Sequence, residues 1–266
     1  FAPLEGVTGS EFRQVHHRFF PGVDAYYMPF LSPTQDHILT QREKRNVLPE
    51  HNQGFRAVPQ LLTKQAEDFL WCAGELAAMG YDEVNLNLGC PSGTVVAKGK
   101  GAGMLASLDD LKRFLDTVFS RSPVKISLKT RLGLENPEEF PPLLDLFDQY
   151  PVSLLIVHPR VRSDFYKVPA RIAWFRYAVE HFSAPLCFNG GLVTAGDCDQ
   201  FAREFPEVDQ VMIGQGLLAN PALVRQARGG PGADRETLRA FHDELYHTYL
   251  DIFASQRNTV FHMKEL

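Results

Sequence analysis

Apolar positions along this chain follow two alternating rhythms. Short, nearly unbroken apolar runs read as buried strands, and between them apolar residues recur every three or four positions, as on one face of a helix. The runs predict strands over Phe1–Leu4, Asp24–Met28, Ala57–Leu61, Glu83–Leu88, Val124–Lys129, Leu154–His158, Leu186–Asn189 and Gln210–Ile213. The longer stretches predict helices over Ser10–Phe20, Ser32–Glu43 (weakly), Lys64–Met79, the segment capped by Ser107, Pro137–Gln149, Pro169–Phe182, Ala195–Phe205 and Leu217–Arg228. Phe12, Val15, Phe19 and Phe20 share one side of the first helix, and Leu108, Leu111, Phe114, Leu115 and Val118 share one side of the helix behind Ser107. Ser107 is a suitable N-cap, and Gly80 closes the helix before it.

Eight strand–helix units in succession, with strands apolar throughout, predict an α/β fold with a parallel sheet. Eight units in roughly 230 residues match a closed (β/α)8 TIM barrel. An open doubly wound sheet would carry a G-x-G-x-x-G turn after its first strand, and Pro3-Leu4-Glu5-Gly6 is not one. Gly229-Gly-Pro-Gly-Ala233 reads as a linker, and Asp234 caps a further helix with Leu238, Phe241, Leu245, Tyr249 and Ile252 in register. The expected organisation is a barrel over 1–228, a linker over 229–233, and a C-terminal helical domain starting at 234 and cut short at 266.

The 266 residues suffice for one such barrel; 44% are hydrophobic and 22% charged, an ordinary globular balance. No apolar run reaches the roughly 18 residues of a membrane helix, and no membrane partner is expected. Phe1-Ala-Pro-Leu lacks the basic start of a secretory signal, and the absence of Met at position 1 suggests trimming. The four cysteines form no CxxC or Cys/His pattern, so no metal is expected, and free thiols point to the cytoplasm. Cys72, Cys187 and Cys198 lie within elements and read as packing residues. The net charge of −5 argues against a uniformly basic nucleic-acid binder but leaves room for a local basic face.

In a barrel of this kind chemistry gathers at the C-terminal strand ends. Those ends read Pro3-Leu4-Glu5, Met28-Pro29, Gln60, Asn87 and Cys90, Lys129 and Arg131, His158 and Arg160, Asn189-Gly190-Gly191, and Gly214-Gln215-Gly216. Each has an ordinary explanation alone: a snorkelling lysine, a core histidine, a glycine turn. Their shared position does not. Gly-rich ends on the seventh and eighth strands suit a phosphate, because backbone N–H groups can approach an anion there. Lys129 adds a cation deep in the barrel, and Gln60 and His158 add hydrogen bonds from opposite walls. The set fits flavin mononucleotide (FMN), whose reduced ring is anionic. Gly89-Cys90-Pro91 ends the fourth strand abruptly, holding a thiol at a strand tip within reach of proton exchange.

Taken together, Asn87-x-Gly-Cys-Pro91 with Gly101-Ala-Gly103, Lys129-Thr-Arg131-Leu-Gly133, His158-Pro-Arg160, Asn189-Gly-Gly191 and Ile213-Gly-Gln-Gly216 resemble the tRNA-dihydrouridine synthase family over essentially the whole chain. The resemblance implies reduction of the uridine C5–C6 bond in tRNA, with FMN as cofactor and NADPH as its reductant. It implies Cys90 as the acid delivering a proton to C5, and Asn87 orienting base or flavin. It implies flavin contacts from Pro3, Leu4, Glu5, Gln60, Lys129, His158, Asn189, Gly190, Gly191, Gly214 and Gln215, with Arg131 and Arg160 toward the nucleotide. A thiol suits the acid role, being mostly protonated at neutral pH, and a uridine must leave its stack to be reduced.

The chain departs from the family pattern twice. Gln215 stands where an Arg is usual, removing a cation near the phosphate, and Pro159 replaces a small residue between His158 and Arg160. Lys98, Lys100, Arg131, Arg160, Arg162, Lys167 and Arg171 all fall in loops on the strand-end side, as a rim tracking RNA phosphates would. Two other readings share much of this set. One is a flavin barrel acting on a free pyrimidine, similar to a dihydroorotate dehydrogenase, which would need neither basic rim nor helical appendage. The other is a barrel that only binds RNA, which would have no use for Cys90 and Lys129 together. A monomer is expected.

Overall fold

A computed structural model describes residues 1–266. The elements run, in order, α1 (Ser10–Phe19), β1 (Tyr26–Tyr27), α2 (Gln41–Val47), β2 (Ala57–Val58), β3 (Gln60–Leu61), α3 (Ala66–Ala78), β4 (Glu83–Leu88), α4 (Gly93–Val96) and α5 (Leu108–Arg121). They continue as β5 (Lys125–Arg131), α6 (Phe140–Phe147), β6 (Leu155–His158), α7 (Ile172–His181), β7 (Leu186–Asn189), α8 (Ala195–Glu204), β8 (Gln210–Met212), α9 (Gln215–Ala219), α10 (Leu223–Ala227), α11 (Arg235–Phe253) and α12 (Gln256–Met263).

Every strand pairing is parallel, β1 with β2 and then β3 through β8 in sequence order. The first predicted strand has no regular ladder, yet it closes the ring. The Ala2 N–H donates to Ile213 O at 2.8 Å on one side, and the Tyr27 N–H donates to Phe1 O at 3.0 Å on the other. The third predicted strand is broken at Pro59, which has no N–H to give the ladder. Its carbonyl still accepts from Asn85 N at 2.8 Å, so β2 and β3 act as one stave. The result is the predicted (β/α)8 barrel.

Two predicted helices differ. The second starts at Gln41, not Ser32, because Thr40 and Glu43 form a reciprocal capping box that fixes the start. The last splits into α9 and α10, since Pro221 cannot continue a helix from Asn220.

Alternation along β4 separates two interiors. Val84, Leu86 and Leu88 face the helices, and all three are fully buried in the main apolar core with Phe69, Leu115 and Leu128. Glu83, Asn85 and Asn87 lie on the other face, inside the barrel. Beyond the Gly229–Gly232 segment, α11 crosses back onto α1. Phe241 packs against Phe12, Phe19 and Phe20, with ring centroids 6.1, 5.8 and 5.2 Å away. No helix is long and apolar enough to cross a membrane.

Candidate active site

The strand ends of β5 to β8 and the segment after Phe1 enclose a pocket. It brings together Pro3, Leu4, Lys129, His158, Arg160, Asn189, Gly190, Gly191, Gly214 and Gln215 from the predicted set, and adds Tyr166. Two loops make one wall. A Cβ on Gly216 would stand 2.3 Å from Leu192 O, so the loops after β7 and β8 touch backbone to backbone only because this residue is glycine. Gly191 needs the same freedom for a different reason, its φ of +76°. Asn189 ties the loops together from below, its Nδ2 donating to Met212 O at 2.8 Å. The backbone N–H groups of Gly190, Gly191, Gly214, Gln215 and Gly216 engage no protein acceptor. Five donors on two touching loops form a cradle for an anion.

The same lining carries cations. Lys129 sits opposite Asn87 in the β4–β5 register, half-buried at the pocket floor. Burial, and then Arg131 alongside, pull its pKa down to about 8. Cys90 stands three residues beyond Asn87, on the turn that ends the neighbouring strand. His158 is neutral: burial and then Lys129, Arg131 and Arg160 hold its pKa well below the usual histidine value. Its Nε2 lies 2.6 Å from Arg160 Nη1, which can only donate, so Nε2 accepts and Nδ1 carries the proton. Arg160 is held there by a second bond, from Nε to Val168 O at 2.6 Å. It therefore turns inward against the imidazole. The Arg160 N–H to His158 O contact of 2.7 Å spans the intervening Pro159.

Six predicted residues do not line this pocket. Glu5 is exposed and pairs with Arg42 at 2.8 Å, outside the pocket lining. Arg131, expected beside the nucleotide, is 1% exposed. Its guanidinium donates to the carbonyls of Gly89, Val161 and Phe165 at 2.9 to 3.0 Å, so it ties the Cys90 turn to the loop after β6. Gln60 is fully buried, its amide bonded to Asn85 and Asn87. Asn87 accepts from the N–H groups of Gly89 and Cys90 at 3.0 and 2.9 Å, so it shapes the turn.

Cys90 is a half-buried free thiol. The 3-10 turn over Gly101–Ala106 presses on it, with Ala102 N donating to Cys90 O at 3.1 Å and a Cβ on Gly101 placed 2.9 Å from Cys90 Cβ. Lys98 is exposed on the same loop; burial lowers the pKa of Lys100, Asp68 nearby opposes the shift, and Lys98 and Lys64 add to it. Three lysines thus crowd one rim of the mouth. Arg171, by contrast, is neutralised by Asp164. Cys72 and Cys187 are buried and Cys198 partly so. No group of three His, Cys, Asp or Glu side chains could hold a metal.

Sequence reasoning missed Tyr166, Asn85 and Ser127. Tyr166 lies in a polar loop whose local sequence carries no sign of the pocket, yet its ring is 5.8 Å from that of His158 and 5.3 Å from the Arg131 guanidinium. Asn85 and Ser127 had a signal, polar residues inside otherwise apolar strands.

Comparison with known proteins joins this geometry to a family. The family model described as Dihydrouridine synthase (Dus) matches residues 1–252. A probable tRNA-dihydrouridine synthase of Rhizobium leguminosarum bv. phaseoli is 28% identical over 260 residues, covering 95% of this chain and 78% of the relative. A tRNA-dihydrouridine(16) synthase of Ralstonia nicotianae is 29% identical over 235 residues, covering 86% and 72%. Among solved structures, the old yellow enzyme homologue from Zymomonas mobilis superposes with a TM-score of 0.55 at 12% identity, covering 88% of this chain and 87% of that one. Histamine dehydrogenase from Rhizobium sp. 4-9 gives 0.63 at 11%, covering 86% and 45%. At such identities the two structures share the barrel fold and nothing finer. The family match spans nearly the whole chain, and with it the chain belongs to the dihydrouridine synthase family, flavin-dependent enzymes that reduce uridine to dihydrouridine.

Proposed function

We propose that this protein reduces the C5–C6 double bond of uridine in tRNA, with FMN held in the strand-end pocket and NADPH as the reductant. The observation that carries the reading is that five unengaged backbone N–H groups and Lys129 line one pocket. It fits a group with a phosphate at one end and an electron-rich ring at the other. Gly190, Gly191, Gly214, Gln215 and Gly216 would hold the phosphate, the cation of the usual family Arg being replaced by backbone donors and by Arg160 nearby. Lys129 and the Nδ1–H of His158 would face the ring, with Pro3 and Leu4 as a wall. A reduced flavin bound there supplies hydride to C6 of the uracil.

Cys90 delivers the proton to C5 in this reading. Its turn follows β4, the strand next to the one that carries Lys129, and from there the thiol would serve a base brought to the pocket. Lys98, with Lys64 and Lys100, contacts the phosphates of the RNA strand that presents the base. Asn87, Gln60 and Arg131 serve the site through the turn they hold.

The test is Cys90→Ala, assayed by single-turnover oxidation of the reduced enzyme with tRNA lacking dihydrouridine. Losing a positioned acid costs about 100- to 10,000-fold, while flavin content and its reduction by NADPH should stay normal. Cys90→Ser should be nearly as slow, a hydroxyl being a far weaker acid. A Cys90→Ala protein that turns over tRNA at the parent rate would make Cys90 a turn residue only.

A further inference from the structure

Four buried polar side chains inside the barrel form one unbranched hydrogen-bonded series. Asn85 Nδ2 donates to Ser127 Oγ at 2.9 Å. Gln60 Nε2 donates to Asn85 Oδ1 at 2.8 Å. Asn87 Nδ2 donates to Gln60 Oε1 at 2.8 Å. Asn87 Oδ1 then accepts from the backbone N–H groups of Gly89 and Cys90. Asn85, Gln60 and Ser127 are wholly buried and Asn87 is 8% exposed.

The parallel register explains why these side chains meet. Gln60, Asn85 and Ser127 are direct partners on β3, β4 and β5, so they share one layer of the barrel interior. Asn87 stands two residues further on, in the next layer toward the strand ends. Each amide orientation is fixed by its neighbour. If Asn87 flipped, its oxygen would face Gln60 Oε1 and its NH2 group would face two backbone N–H groups. A polar series that merely filled the barrel could end anywhere. This one ends on the two N–H groups of the turn that carries the thiol.

We infer that Asn85 and Ser127, through Gln60 and Asn87, are positioning residues for Cys90. They never reach the pocket. Their effect is to lock the Asn87 carbonyl under the turn, so that the thiol keeps one orientation toward the base. The inference rests on the reading of Cys90 as the proton donor. It explains two polar positions in the strands to which no role in catalysis had been given.

Asn85→Leu keeps the branched shape, with a somewhat larger side chain, and deletes both amide bonds. Two measurements follow it in the full chain. The first is the rate at which iodoacetamide alkylates Cys90, mapped by peptide mass spectrometry. A loosened turn exposes the thiol, so alkylation should speed up by about fivefold. The second is tRNA-dependent oxidation of the reduced enzyme, which should slow by about tenfold, with flavin affinity and NADPH-driven reduction unchanged. Asn85→Asp still accepts from Gln60 and should restore both rates. General loosening of the fold would instead lower flavin affinity together with the tRNA step, and that result overturns the inference. So does an Asn85→Leu protein with parent alkylation and parent tRNA oxidation. Should Asn85→Leu not fold, Ser127→Ala removes only the far end, and its opposite changes in the two rates, or their absence, decide the matter. A parent protein that never oxidises its flavin with tRNA would defeat the uridine reading, while the alkylation arm would still report on the hydrogen-bonded series.

Discussion

Lys129 shows how one residue is shaped by its place. A lysine at a strand end normally extends its ammonium into water. Here the barrel floor and Arg131 bring its pKa to about 8. The folded value lies below the unfolded one. At neutral pH the buried cation therefore costs stability, and the cost is relieved as pH rises from about 8 toward the unfolded value. An anionic ring reverses the preference by supplying the missing counter-charge. Lys129→Met should accordingly raise the melting temperature of the flavin-free protein at pH 7, yet lower the midpoint potential of bound flavin. In the parent that potential should show an extra downward slope above about pH 8, where the cation is lost, and the variant should lack it. Identical potentials at every pH would leave Lys129 as a strand-end residue without influence on the ring.

At the scale of elements, the cradle depends on how closely two loops approach. Gly216 has no positive φ, so any residue could adopt its backbone conformation. What forbids a side chain is the Leu192 carbonyl. Gly216→Ala must push the loops after β7 and β8 apart, a displacement that costs about 1–3 kcal/mol in a packed region. Flavin affinity should fall by more than stability would suggest, about tenfold or greater, because separated loops no longer aim their N–H groups at one point. Fluorescence titration with FMN beside thermal melting separates the two effects. Unchanged affinity would mean that the phosphate is held elsewhere.

For the whole molecule, the question is whether the helical appendage unfolds independently of the barrel. Leu245 and Tyr249 on α11 are 1% and 3% exposed, and Phe241 joins the ring cluster on α1. His16 connects the same corner, its Nδ1 2.8 Å from the Tyr26 hydroxyl and its Nε2 3.1 Å from Pro221 O, bridging α1, β1 and the turn between α9 and α10. We expect barrel and appendage to melt in one transition. Phe241→Ala should lower stability by about 2–4 kcal/mol, as truncation of a packed aromatic does, without splitting that transition. Two separate calorimetric peaks in the parent would show that 234–266 is an autonomous domain.

The sequence alone determined the eightfold alternation and the identity of the strand-end residues, because strand and helix periodicities are local and the barrel places every strand end at one mouth. The cradle was legible too: glycine at 190, 191, 214 and 216 has a backbone consequence wherever the loops lie. Tertiary structure decided what a strand-end position means for each side chain. Arg131 ends β5 as expected, whereas Gln60 opens β3, one layer below the strand ends; the polar groups of both are occupied by amides of β4 and by loop carbonyls after β4 and β6, partners separated by 25 to 42 residues in the chain. Glu5 is drawn outward by Arg42, 37 positions away. Tyr166 enters the pocket from a polar loop. Hydrophobic patterning reports which face of a segment is buried. It cannot report which distant donor meets which acceptor, because that pairing exists only once the ring of strands has closed.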